Sequence, residues 1–233
     1  MRGIRFLSLA STAVLLLAGG AQAPARATVP AMPPRPAVTP SVAPLIARDA
    51  DRTVALTFDD GPSPFTPGIL AVLRRHHVTA TFCMLGEEAQ RYPAYAREVV
   101  RAGHRICNHS SDHRDMARLP APQARREVVA AERQIRDAAG VAPALFRFPY
   151  GSADRTARRV VRGYGMRTLG WDVDPKDWTR PSAGTITARI LRGVGRHSVV
   201  LMHDGGGDRS RTAASLDATI TQLQRRGYRF VLP

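Results

Sequence analysis

Hydrophobic positions over residues 50–233 switch between two periods, and the switching predicts strands and helices in turn. Thr53 to Phe58 is a β-rich run, and Thr66 to His77 carries apolar residues at helical spacing with Pro67 near its start. Thr79 to Leu85 returns to strand, Tyr92 to Ala102 to helix, Arg105 to Asn108 to strand, and Ala121 to Ala139 to a long amphipathic helix. Leu145 to Phe148, Arg167 to Trp171 and Ser198 to Met202 are further predicted strands, separated by the helices Ala153 to Gly163 and Ala183 to Gly193. A last helix, Ser210 to Arg226, leads into Tyr228 to Leu232. The βα rhythm predicts an α/β fold whose parallel strands are closed, or nearly closed, by helices.

The chain before this pattern reads differently. Arg2 and Arg5 precede an apolar run, Phe6 to Ala18, and small residues follow through Ala27, the three-part layout of a secretory signal peptide. The run is shorter than the roughly 20 residues of a membrane span, so no span is expected. The expected division is a signal peptide over residues 1–27, a Pro- and Ala-rich linker over 28–49, and one domain over 50–233. The mature protein is expected to be a monomer, secreted, and extracellular or associated with the cell wall.

Charge and cysteine refine the compartment. The net charge of +15 comes almost wholly from arginine, since Lys176 is the only lysine. The arginines spread over several helices and read mostly as solvated faces, and with aromatics at 6% there is no interleaved pattern that would point to nucleic acid. An anionic cell envelope is the more natural partner for such a surface. Cys83 and Cys107 fall in neighbouring predicted strands, where a disulfide and two buried thiols are equally compatible with the sequence.

The polar residues are not scattered. Asp59, Asp60, His109, His113, Arg147, Asp177 and His203 each follow a predicted strand or sit in the loop beyond it. In a barrel-like α/β fold those positions converge on the rim at the carboxyl ends of the strands, where such folds place their chemistry. His109 and His113, four apart, would share a face if they sat on a helical turn, and Asp60 would complete a two-histidine, one-carboxylate metal set. Zinc suits such a set, and non-haem iron uses a similar one. Asp59, next to Asp60, is placed to take a proton from water activated by the metal. His203 ends a buried strand and is either a proton donor or a satisfied core histidine. His76, His77, His104 and His197 lack this support and are read as surface residues.

Taken in order, five segments resemble a known family. Thr57-Phe58-Asp59-Asp60-Gly61-Pro62, His109-Ser110-Ser111-Asp112-His113, Arg147-Phe148-Pro149-Tyr150, Asp174-Pro175-Lys176-Asp177-Trp178 and Leu201-Met202-His203 resemble the five motifs of the polysaccharide deacetylases of carbohydrate esterase family 4. The resemblance runs from about Val54 to Val231. It implies a distorted (β/α) barrel that removes N-acetyl, or sometimes O-acetyl, groups from an acetylated polysaccharide or oligosaccharide. It further implies one divalent ion, Zn2+, held by Asp60, His109 and His113, with Asp59 as base, Arg147 holding Asp59, and His203 as acid tuned by Asp177. The backbone N–H of Tyr150 would help the metal stabilise the oxyanion. Trp178 and Leu201 would line the acetyl pocket, although plain core packing accounts for both nearly as well.

Two other classes fit parts of the pattern. A non-haem iron oxygenase would share the triad but usually presents an all-β pattern, and a non-catalytic wall-binding protein would have no need for Asp59 and His203. Within the deacetylases, the expected substrate is an N-acetylglucosamine polymer, peptidoglycan or chitin oligomers, with acetylated xylan as the alternative.

Overall fold

The computed structural model of the chain describes residues 52–233. The predicted signal peptide and linker lie outside them. The elements are β1 Thr53–Asp59, α1 Thr66–Arg75, β2 Thr81–Met84, α2 Gly86–Arg91, α3 Pro93–Arg101, β3 Arg105–Asn108, α4 Ala121–Ala139, β4 Leu145–Phe146, α5 Arg155–Gly163, β5 Arg167–Thr168, α6 Ala183–Gly193, β6 His197–His203, α7 Ser210–Arg225 and β7 Arg229–Phe230. Every strand pairing among them is parallel.

The sheet order is β5-β4-β3-β2-β1-β6. On one edge of β1, β6 pairs along its whole length, from Thr53↔His197 to Asp59↔His203. On the other edge β7 takes Thr53 and Val54, and β2 takes Thr57 to Asp59. The chain after β5 then crosses the open side. Leu169 still donates to Phe146 O on β4, and Asp172 and Val173 donate to Val199 O on β6, with Val173 bridged to Val200. The result is a curled half-barrel with flanking helices, and residues 169–172 run between its edge strands.

Both faces of the sheet are covered, as parallel strands require. Along β1 the side chains alternate. Val54, Leu56 and Phe58 turn outward and pack with Ile69, Leu73, Ile186, Ile220 and Leu223 from the helices into the main apolar core. Ala55, Thr57 and Asp59 turn inward. The interior is narrow and is filled by Cys83, Cys107, Leu145 and Leu169, with Val199 packed against them. Cys83 and Cys107 are register partners on β2 and β3, with Cα atoms 4.2 Å apart, and are joined as a disulfide.

Three local expectations change. The helix α2 was not legible, because Gly86 opens a stretch of only six residues before Pro93 starts α3. Strands β4 and β5 are two residues each, shorter than predicted. The carbonyls of Leu169 and Gly170, which would extend the ladder from β5, accept instead from the Arg147 guanidinium. His104, expected at the surface, is buried, takes the Ala80 N–H on Nδ1 at 3.2 Å, and is pushed down to about 4 by that burial.

Candidate active site

The inward face of β1 leads upward to the site. Thr57 gives its hydroxyl to Val200 O on β6 at 2.7 Å, and in turn accepts from Arg147 Nη1 at 2.7 Å. The same nitrogen donates to Asp59 Oδ1 at 2.7 Å. Arg147, directly after β4, has no exposed surface, and its guanidinium is shared among Thr57, Asp59 and the carbonyls of Leu169 and Gly170. A buried guanidinium needs this full set of acceptors, because an unpaired buried charge costs several kcal/mol, on the order of 3–5 when one partner is removed. Asp59 is thereby fixed in one orientation.

The strand ends at Asp59 because Asp60 adopts φ 69°. Asp tolerates that left-handed conformation better than most residues. The turn lets two successive carboxylates line one cavity, where a continuing strand would send them to opposite faces. His109 and His113 converge in a related way. The spacing suggested a helical turn, but residues 109–113 form a loop in which Ser110 (φ 70°) and His113 (φ 66°) are both left-handed. Asn108 Oδ1 accepts from Ser110 N–H, and Ser110 Oγ accepts from His113 N–H, so local side-chain bonds hold the loop in this shape.

Asp60 Oδ1 lies 3.4 Å from His109 Nε2 and 3.3 Å from His113 Nε2. His109 donates from Nδ1 to Arg147 O at 2.8 Å, which leaves Nε2 facing Asp60. Oδ1 of Asp60 is buried without a hydrogen-bond partner, an arrangement that is costly unless something else occupies the site. Burial alone would raise the Asp60 carboxyl, but His109, with His203 and His113, holds it down to about 2. The three donor atoms lie within 4.8 Å of one another, so these residues could hold a metal ion.

His203, at the end of β6, is the register partner of Asp59. Its Nδ1 donates to Asp177 Oδ1 at 2.7 Å, its backbone N–H donates to Asp177 Oδ2, and the Thr212 hydroxyl adds a third bond to that carboxylate. Burial opposes charging of the imidazole, but the Asp177 carboxylate outweighs it and raises His203 above the ordinary histidine value. His203 is therefore not a satisfied core residue: one nitrogen is held and the ring lines the cavity.

The cavity has a volume of about 630 Å³. Tyr150, left-handed at φ 60°, is 72% exposed and sets its ring edge-on to His113 at 4.5 Å between centroids. Trp178 lines the cavity and is 51% exposed, so it is not core packing. Leu201 lines the same cavity from a nearly buried position. All ten predicted site residues are thus at or around one cavity.

Two residues of the region went unnoticed in the sequence. Arg209 lines the cavity and donates to Gly205 O and Gly206 O, but one arginine among so many carries no signal. Asp204, the residue after His203, is buried and accepts from the Thr66 hydroxyl, and burial with the charges of Asp60 and Asp59 pushes it up to about 7. A Cβ on Gly61 would come within 2.2 Å of its Oδ2, which explains glycine there.

A half-barrel that gathers two histidines, a carboxylate facing both of them, a second carboxylate and an acid-paired histidine at the carboxyl ends of its strands has the features of a metal-assisted hydrolase. Comparison with known proteins narrows this. The polysaccharide deacetylase family model matches residues 47–169, and the chain belongs to that family. The chain is 36% identical to the peptidoglycan-N-acetylglucosamine deacetylase PgdA of Listeria monocytogenes, over 78% of its own length but only 38% of that protein's. It is 40% identical to a chitooligosaccharide deacetylase of a Bradyrhizobium species, over 76% of this chain and 87% of that one. In structure it is similar to a family 4 carbohydrate esterase from Streptomyces lividans determined in complex with acetate, with TM-score 0.74 and 35% identity over 78% of this chain and 93% of that chain.

Proposed function

We propose that the protein is a zinc-dependent deacetylase that removes N-acetyl groups from N-acetylglucosamine-containing glycans. The observation that supports this most directly is the pair Asp59 and His203, set in register on adjacent strands and lining one cavity with a candidate metal triad. The orphaned Asp60 Oδ1 and the two Nε2 atoms suit a divalent cation, and imidazole with carboxylate suits zinc. When bound, such an ion supplies Lewis acidity to water and to the acyl carbonyl.

The side chains do the remaining work. Asp59, held by Arg147, accepts the proton of the attacking water. The Tyr150 N–H donates toward the developing oxyanion, and Trp178 and Leu201 enclose the acetyl methyl. His203, kept protonated by Asp177, gives its proton to the departing nitrogen, so that acetate and a free amine leave. No covalent enzyme intermediate is needed.

Residues 1–27, read as a signal peptide, and 28–49, read as a tether, send this activity outside the cytoplasm. A cell-wall location accords with the arginine-rich surface and with the disulfide. The test is acetate release from chitin oligomers, peptidoglycan and acetylated xylan by the zinc-loaded protein. Asp59→Asn is expected to keep the metal, measured by elemental analysis, and to lose at least about 100-fold in kcat; full activity in that variant would sink the assignment of the base.

A further inference from the structure

The wall formed by Phe148, Tyr150 and Trp171 has two usable sides. One faces the main cavity, and the other faces a second hollow of about 390 Å³. Gly151 allows the wall to be thin: at φ 66°, its missing Cβ would lie 2.8 Å from the Trp171 ring.

The two hollows differ in charge. The main cavity is lined by Asp59, Asp60 and Asp174, whereas no carboxylate lines the second, and its single charged residue is Arg158 of α5. Arg158 is exposed, sets its guanidinium carbon 5.6 Å from the Phe148 ring centroid, and pairs with no carboxylate among the described residues. Arg155 and Arg162, one turn to either side, are exposed on the same helix face. Together the three make a positively charged stretch of α5, of which Arg158 lines the second hollow.

We propose that this hollow receives the sugar next to the one being deacetylated, and that it selects a sugar bearing a free carboxylate, as N-acetylmuramic acid does where no peptide is attached to its lactyl group. The inference rests on the deacetylase reading and deepens it. A polysaccharide entering the main cavity must continue somewhere, and the second hollow lies on the other side of the shared wall. Tyr150 and Trp171 offer flat apolar surfaces to a pyranose ring. The Arg158 fork matches a carboxylate with two parallel N–H···O bonds. A neutral chitin oligomer carries a hydroxyl in place of the lactyl group, and gains nothing from the positive charge of Arg158.

The experiment compares kcat/KM for chitooligosaccharides and for peptidoglycan glycan strands stripped of peptide, of equal length, at low and high salt. The protein should prefer the anionic strands, chiefly through KM, with the preference shrinking as salt rises. Arg158→Glu, a substitution at an exposed position, should cut the ratio of the two kcat/KM values about tenfold, the worth of one charge-assisted hydrogen-bonded contact. Arg158→Met should fall between. A ratio that Arg158→Glu leaves unmoved, with both oligomers hydrolysed, would overturn the subsite alone. No acetate from either would overturn the deacetylase reading, and calorimetric binding of the same strands then decides the subsite. Weaker binding to Arg158→Glu would sustain it, and equal binding would end it.

Discussion

The two faces of the sheet are made by the same strands and follow different rules. Outward, Val54, Leu56 and Phe58 meet helix side chains in an apolar core where volume and hydrophobicity are the only demands. Inward, one position along, Thr57 and Asp59 meet Arg147, Leu201 and His203, each with a stated partner. A helix-facing residue can be exchanged for another of its size. An inward residue is committed to particular atoms, and that commitment is what makes the inner face suitable for chemistry.

The widest separation between the faces should come from one pair of substitutions. Arg147→Met removes a buried cation and strands Asp59, Thr57 and two carbonyls, for a loss on the order of 3–5 kcal/mol. Leu56→Met, a neighbour on the opposite face with no exposed surface, conserves volume and should cost less than about 1.5 kcal/mol. Urea unfolding of the two variants measures both. Equal losses would show that the inner polar layer is no more specified than the outer core.

A smaller effect lies deeper inside. The disulfide joins positions 24 residues apart on β2 and β3, and replacing both cysteines by alanine releases that loop in the unfolded chain, worth roughly 3 kcal/mol. The polar layer above should keep its geometry, so kcat is expected to persist while the denaturation midpoint falls. Lost activity without lost stability would mean that the disulfide sets the site directly.

The outer face was the more legible in the sequence, for a physical reason. Its residues follow periods of 2 and 3.6 that burial imposes locally, so β1, β6 and the long helix α4 came out close to their observed bounds. The inner face was legible only as residue types at the ends of strands, which sufficed to gather Asp59, Asp60, His109, His113 and His203. How His109 and His113 meet was not legible, since left-handed turns at Ser110 and His113 depend on Asn108 and on contacts across the sheet. The shortness of β4 and β5 was hidden for the same reason: a side chain distant in sequence takes the carbonyls that would have lengthened β5. Arg158 and Arg209 were lost among other arginines, because composition blurs the one residue type on which electrostatic selectivity depends.

The gentlest test of the inner face leaves the number of heavy atoms unchanged. Asp177→Asn keeps a side chain able to accept from His203 N–H and Thr212, but removes the charge that holds His203 protonated. His203 is raised in the folded protein above its unfolded value near 6.5, so the contribution of the pair to stability is full below that pH. It fades as pH rises through the raised value. Asn should therefore destabilise the protein most at pH 5–6 and least in the alkaline range, where the imidazole is neutral in both proteins. With His203 as the proton donor, activity falls as that proton is lost, and the alkaline limb of the kcat profile should move to lower pH in the variant. An unmoved limb would place the proton donor elsewhere. It would also reduce the contrast between the faces to packing, because the carboxylate behind His203 would then be holding a structural histidine in place.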